Sequence, residues 1–201
     1  MTARAPELAR RFHTNLGRVR NLLACHEALQ QTVAPDPDDV LRAAVVLLHA
    51  TLEDLLREAE RLAMRADPAN PKWTLRWPGG KDREGLGVLA AFLGQSTADV
   101  FELAITEHLE LRTYNDFTQI VGALRGLGIS TDGWAAGLQV DLNLMTRRRH
   151  AIAHRADQVV DPNTGAAWVP AISKDHIALW LSAVEAVGQR VLDHLSATRS
   201  P

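Results

Sequence analysis

Apolar positions along this chain recur with a helical period. Leu8, Phe12, Leu16, Val19 and Leu23 form one stripe that runs on to about Gln31, and Pro6 suits a first helical turn. The segment A-P-D-P-D-D breaks the pattern and offers Asp36 or Asp38 as a cap for the next helix. There Leu41, Val45, Leu48, Leu52, Leu55, Ala59 and Leu62 recur at spacings of four and three. At ~1.5 Å per residue they span about 30 Å, which marks the central helix of a bundle. A short helix is expected near 84–93, one from Ser96 to about Arg112 capped by Ser96 and Asp99, and one from Asn115 to about Leu127. Gly126 and Gly128 stop the last of these. Another begins near Thr131 or Asp132, and a C-terminal helix carries Ile177, Leu181, Val184, Val191 and Leu195. Between them D-P-N-T-G signals a turn flanked by Val159-Val160 and Trp168-Val169, so a small β-hairpin is expected near 158–170. The pattern predicts an all-α bundle of about five to seven helices with long central ones. It forms one domain over 1–201 with its core at about 40–195.

Residues 66–84 break the periodicity. D-P-A-N-P-K-W-T-L-R-W-P-G-G-K-D-R contains three prolines, two glycines, two tryptophans and four basic residues, and reads as a long loop. Two readings are open. It is either a flap whose Trp73, Trp77, Lys72, Arg76 and Lys81 stack on bases and hold phosphates, or a surface loop pinned to the core by its indoles.

Composition narrows the classes of function. Apolar residues make up 46% and charged residues 23%, as in a folded soluble domain. A net charge of −2 excludes a surface that coats nucleic acid generally, so any anion site must be local. The single cysteine, Cys25, excludes a disulfide scaffold and a cysteine-rich zinc site, and fits a reducing cytoplasm. No apolar run reaches the ~20 residues of a membrane span, and M-T-A-R-A-P-E lacks the apolar core of a signal peptide.

Local charge is greatest at Arg147–His154, R-R-R-H-A-I-A-H. Like charges this close repel, so an anion or an acidic neighbour compensates them, unless they are simply solvated at a helix C-terminus that favours cations. On a helix Trp134, Leu138, Leu142, Met145 and Ile152 share one arc, and Arg149 falls in the middle of it. A guanidinium there needs a partner, for which Glu53 and Asp54 of the second helix are available, or an inward-facing cleft. Asn143, Arg147, His150 and His154 form a separate polar ridge flanked by Val140, Leu144 and Ala151, a face suited to a contact between subunits or within the bundle. His150 and His154 have the spacing of a metal-binding pair, but neither a zincin glutamate nor a third ligand accompanies them. Arginine with histidine suits phosphodiester cleavage in RNA. A neutral histidine can take the proton of a ribose 2′-hydroxyl or protonate the leaving oxygen, and an arginine can hold the phosphate.

At these residues the chain resembles the HEPN superfamily, whose signature is Arg, four to six residues, then His, usually with a polar residue directly after the Arg. Arg149-His150-Ala151-Ile152-Ala153-His154 matches the four-residue form, and Arg155-Ala156-Asp157 resembles the H-R-x-D ending of one branch. V-V-L-L-H-A-T-L-E-D-L-L-R at 45–57 and Y-N-D-F-T-Q-I-V-G-A-L-R-G-L-G-I at 114–129 resemble the first core helix and the segment before the motif helix. The resemblance implies a metal-independent endoribonuclease without cofactor, in which two copies dimerise with their motif helices facing. It further implies a toxin of a toxin–antitoxin pair or a phage-defence effector, with RNA as substrate and an antitoxin or a defence complex as protein partner. Arg149 and His154 take the catalytic places and His150 an auxiliary one. Arg147, Glu53 and Asp54 are supporting candidates, and Arg148, Arg155, Lys72 and Arg76 are candidate RNA contacts. One branch of the family, silenced by nucleotidylation, carries Tyr two residues after the His; Ala156 stands there in this chain, so that control is not expected. On an ideal helix it is Arg147, rather than Arg149, that faces with His154. A distortion near 150 or a meeting across a dimer would reconcile the motif with the wheel.

Overall fold

The computed structural model describes residues 4–30, 36–70, 72–73, 92–134 and 136–198. Among them are six helices: α1 Arg4–Leu29, α2 Asp38–Ala66, α3 Thr97–Leu111, α4 Phe117–Gly126, α5 Ala136–Arg155 and α6 Lys174–Ala197. A two-stranded antiparallel hairpin, β1 Val159–Val160 and β2 Ala167–Trp168, joins α5 to α6. The fold is an all-α bundle. The helix expected near 84–93 lies outside the described residues except for its last two, which form part of a turn.

The two long N-terminal stripes become the core. Leu8, Phe12, Leu16, Val19 and Leu23 of α1 are buried, as are Leu41, Val45, Leu48, Leu52, Leu55 and Ala59 of α2. α2 is central: it packs on α1, α5 and α6, and its C-terminal part meets α3 and α4. Gly188 of α6 lets α1 approach closely, because a Cβ there would fall inside the Phe12 ring. A smaller cluster of Met64, Ile105 and Leu109 lies under α3.

Caps fix where most of these elements begin. Ser96 Oγ accepts from the Asp99 N–H at 3.1 Å and donates to the Asp99 carboxylate at 2.7 Å. The Asp116 carboxylate accepts from the Gln119 N–H at 2.8 Å, and Ser173 Oγ accepts from the His176 N–H at 3.2 Å. Asp36 works one step earlier than a cap, accepting from the Asp38 N–H at 3.0 Å in the turn before α2. α5 starts at Ala136, later than the sequence suggests, because Gly133 at φ 73° holds 131–134 in a turn.

The hairpin pairs Val159 with Trp168 and Val160 with Ala167. Its turn is held by Asp161 Oδ1, which accepts from the N–H of Asn163 at 2.7 Å and of Thr164 at 3.2 Å. These two bonds hold the Asp161 carboxyl below its ordinary pKa.

Candidate functional site

The three arginines of the run have three different environments. Arg147 is exposed, and no ion pair is seen for it among the described residues. Arg148, a candidate RNA contact from sequence, turns inward instead. Its Nη2 meets Asp157 Oδ2 at 2.6 Å and the Pro170 carbonyl at 2.7 Å, and its Nη1 donates to the Ala171 carbonyl at 3.3 Å. Asp157 is 1% exposed and also accepts from Arg42 Nε of α2 at 3.0 Å, so a buried carboxylate holds two guanidiniums. Arg149 is half-buried, and its Nη1 donates to Asn115 Oδ1 at 3.2 Å in the connection between α3 and α4.

The aspartate of the H-R-x-D ending therefore has a structural position. α5 stops where Ala156 and Asp157 enter the left-handed region at φ 49° and 61°. The Asp157 N–H closes the helix end on the Ala151 carbonyl at 3.0 Å. The reversal aims the Asp157 carboxylate back toward Arg148 and across to Arg42. Arg155 is left exposed at the end of the helix.

His150 and His154 are both exposed and lie side by side, with ring centroids 4.5 Å apart. α5 is helical without interruption from Ala136 to Arg155, so the distortion that would bring Arg149 round to His154 is absent. Five residues at ~100° each leave those two side chains roughly 140° apart around the axis. The outer face of α5 also carries Val140 at 54% and Leu144 at 46% exposure. Among the described residues no group of three or more His, Cys, Asp and Glu is placed to hold a metal.

The acids of α2 are not paired with Arg149. Asp54 takes a bidentate pair from Arg11 of α1, at 2.8 and 3.1 Å. Glu53 accepts from Arg57 Nη2 at 2.6 Å. In their place α2 presents His49, which the sequence reading passed over. It is 1% exposed, its Nε2–H donates to the Tyr114 carbonyl at 3.1 Å, and its Nδ1 is buried without a hydrogen-bond partner, 3.7 Å from Glu53 Oε2. Burial pushes its pKa below the ordinary value, and the nearby Arg149 charge pushes it further the same way. The signal was present in the pattern, since His49 stands four residues after Val45 and three before Leu52 on an apolar stripe.

A polar seam continues from His49. The Tyr114 hydroxyl donates to Glu60 Oε2 at 2.6 Å, and Arg112 Nη2 lies 3.2 Å from Glu60 Oε1. Arg57 donates to the carbonyls of Leu109 and Arg112 and stands over the Tyr114 ring. The connection between α3 and α4 is thus tied to α2 over three turns.

Lys72 is exposed, and Trp73 is partly buried against Gly126 and the Met64 cluster. Trp73 therefore pins the start of the 66–84 loop to the bundle. Arg76, Trp77 and Lys81 lie outside the described residues. A cavity of about 480 Å³ lies beside Trp73, where the C-terminal ends of α2, α4 and α6 converge, and neither the arginines nor the histidines of the cluster line it. No helix of the described residues is long and apolar enough to cross a membrane. Compared with known proteins, the chain matches no family model, no curated protein and no solved structure.

Proposed function

We propose that this chain is a metal-independent endoribonuclease of the HEPN type that acts as a homodimer, serving as a toxin or phage-defence effector. One observation carries the reading: α5 presents exposed Arg147, His150 and His154 beside exposed Val140 and Leu144, while Arg149 is held at its flank by Asn115. Arg149 and His154 point too far apart on one helix to meet at one phosphate. A second copy packed along the Val140–Leu144 face would bring the His154 of one chain toward the Arg149 of the other.

In such a cleft a neutral histidine takes the proton of the ribose 2′-hydroxyl, and the oxygen attacks the adjacent phosphorus. Arginine binds the non-bridging oxygens as their charge grows. The bond from phosphorus to the 5′-oxygen breaks, and a protonated histidine supplies the proton that oxygen needs. The products are a 2′,3′-cyclic phosphate and a 5′-hydroxyl. Arg155 and Lys72 are exposed and free to meet flanking phosphates.

The test is cleavage of RNA by the purified protein. His154→Ala and Arg149→Ala should each lower the rate about 100-fold or more, while EDTA leaves it unchanged. Undiminished cleavage by His154→Ala would sink the catalytic assignment. A second reading, a non-catalytic HEPN-type module that binds nucleotide or RNA or docks on a larger defence complex, draws on the net charge of −2. It predicts a stable dimer that cleaves no RNA offered and whose motif variants change only binding or assembly.

A further inference from the structure

We infer that Asn115 and His49 are positioning residues that hold the Arg149 guanidinium in place, with His49 fixing the backbone from which Asn115 reaches it. The inference rests on the ribonuclease reading for its consequence in catalysis, but not for its geometry.

Three bonded steps join α2 to the arginine. His49 Nε2–H donates to the Tyr114 carbonyl at 3.1 Å. The next residue, Asn115, donates its own N–H to Gln119 Oε1 at 2.7 Å, and Gln119 Oε1 also accepts from Thr113 Oγ1 at 3.0 Å. The Tyr114–Asn115 peptide is thereby held at both its carbonyl and its N–H, and the Asn115 side-chain oxygen accepts from Arg149 Nη1 at 3.2 Å. Asparagine is suited to this task. A neutral acceptor orients the guanidinium without neutralising it, so the full charge remains available to an anion. An acidic residue in its place would compete with phosphate for the same fork.

His49 belongs in its neutral form here. Its Nε2–H is committed to the carbonyl, and the charged groups facing it are Glu53 from its own helix and Arg149 from α5. A second cation on the ring would sit against Arg149 in a buried seam. The imidazole thus acts as a rigid donor rather than a proton carrier, which also separates it in role from exposed His150 and His154.

Two measurements test the inference, and the first needs no catalytic activity. The ring protons of His49 are followed by NMR as pH is varied. Arg149→Ala should raise the His49 midpoint, and Asn115→Leu should raise it in the same direction by a smaller amount, because a released guanidinium swings away. A midpoint unchanged in Asn115→Leu would overturn the inference, whether or not the protein cleaves RNA. The second uses cleavage. Asn115→Leu should cost about 10- to 100-fold in kcat, as expected when a reacting group loses its orientation. Adding it to Arg149→Ala should cost nothing further, whereas full additivity would place Asn115 outside the arginine's service. His49→Gln keeps an amide donor for the Tyr114 carbonyl and should retain most of the activity. His49→Leu, checked for a native melting transition, should not; equal activity in the two would remove His49 from the chain of support. Inactive wild-type protein with the NMR shifts as expected would sink the ribonuclease reading and leave the clamp standing.

Discussion

Glu60 and His49 share the seam between α2 and the α3–α4 connection, and burial moves them in opposite directions. Glu60 is fully buried, and its carboxyl is pushed above the ordinary 4.5, with the Tyr114 hydroxyl, Arg112 and Arg57 offsetting only part of that shift. Its contribution to stability is complete below pH 4.5 and is lost as pH rises through the raised value. His49 is depressed below 6.5, so its contribution is complete above pH 6.5 and is lost as pH falls through the lowered value. The two contributions therefore change with pH in opposite directions. Glu60→Gln exposes one of them. Gln keeps an acceptor for Tyr114 and cannot ionise, so its stability relative to wild type should climb with pH above 4.5. Urea unfolding at several pH values reads this directly, and a difference that stays flat would contradict it. The partners of these residues could not be read from the chain. Arg42 and Asp157 are 115 positions apart, and Arg149 and Asn115 are 34 apart. A charge pattern states that a cation needs company but does not say which.

At the scale of elements, local periodicity was sufficient wherever a helix buries one continuous stripe. α1, α2 and α6 do so, and their apolar spacing announces them. α5 does not, because only Leu142, Met145 and Thr146 are fully buried along its 20 residues, and its polar ridge dilutes the pattern. Its motif could be recognised by residue identity, but the direction of each side chain depends on the helix remaining regular to Arg155. The α1–α6 contact provides a test of packing. Gly188→Ala drives a methyl group into the Phe12 ring and should destabilise the protein by about 1–3 kcal/mol. Phe12→Leu added to it should recover part of that loss, since a smaller side chain vacates the space. Chemical denaturation of the single and double variants measures the coupling, and simple additivity would mean that the two helices do not meet through this pair.

The whole molecule is helical throughout its described core, yet the face of α5 that carries the histidines is left uncovered. Val140 and Leu144 are exposed there, next to Arg147 and His154. In the proposed dimer Leu144 is buried by the second copy. Leu144→Arg should then give a monomer with unchanged helicity and little cleavage, as measured by light scattering and circular dichroism beside the RNA assay. A variant that stays dimeric with full activity would place the subunit contact on another face.

The inward turn of Arg148 bears on how a polyanion would perceive this helix. Asp157 and Asp39 together offset Arg148 and Arg42, so three consecutive arginines act on the solvent as two. Those two, Arg147 and Arg149, project roughly 160° apart around the axis. They are separate points of attachment and not a basic block. Each arginine withheld from a single-stranded ligand removes about 0.7 from the slope of log affinity against log salt. Ionic strength would accordingly govern binding to this surface less steeply than the letters R-R-R suggest, leaving more of the selectivity to shape and to the orientation of single side chains.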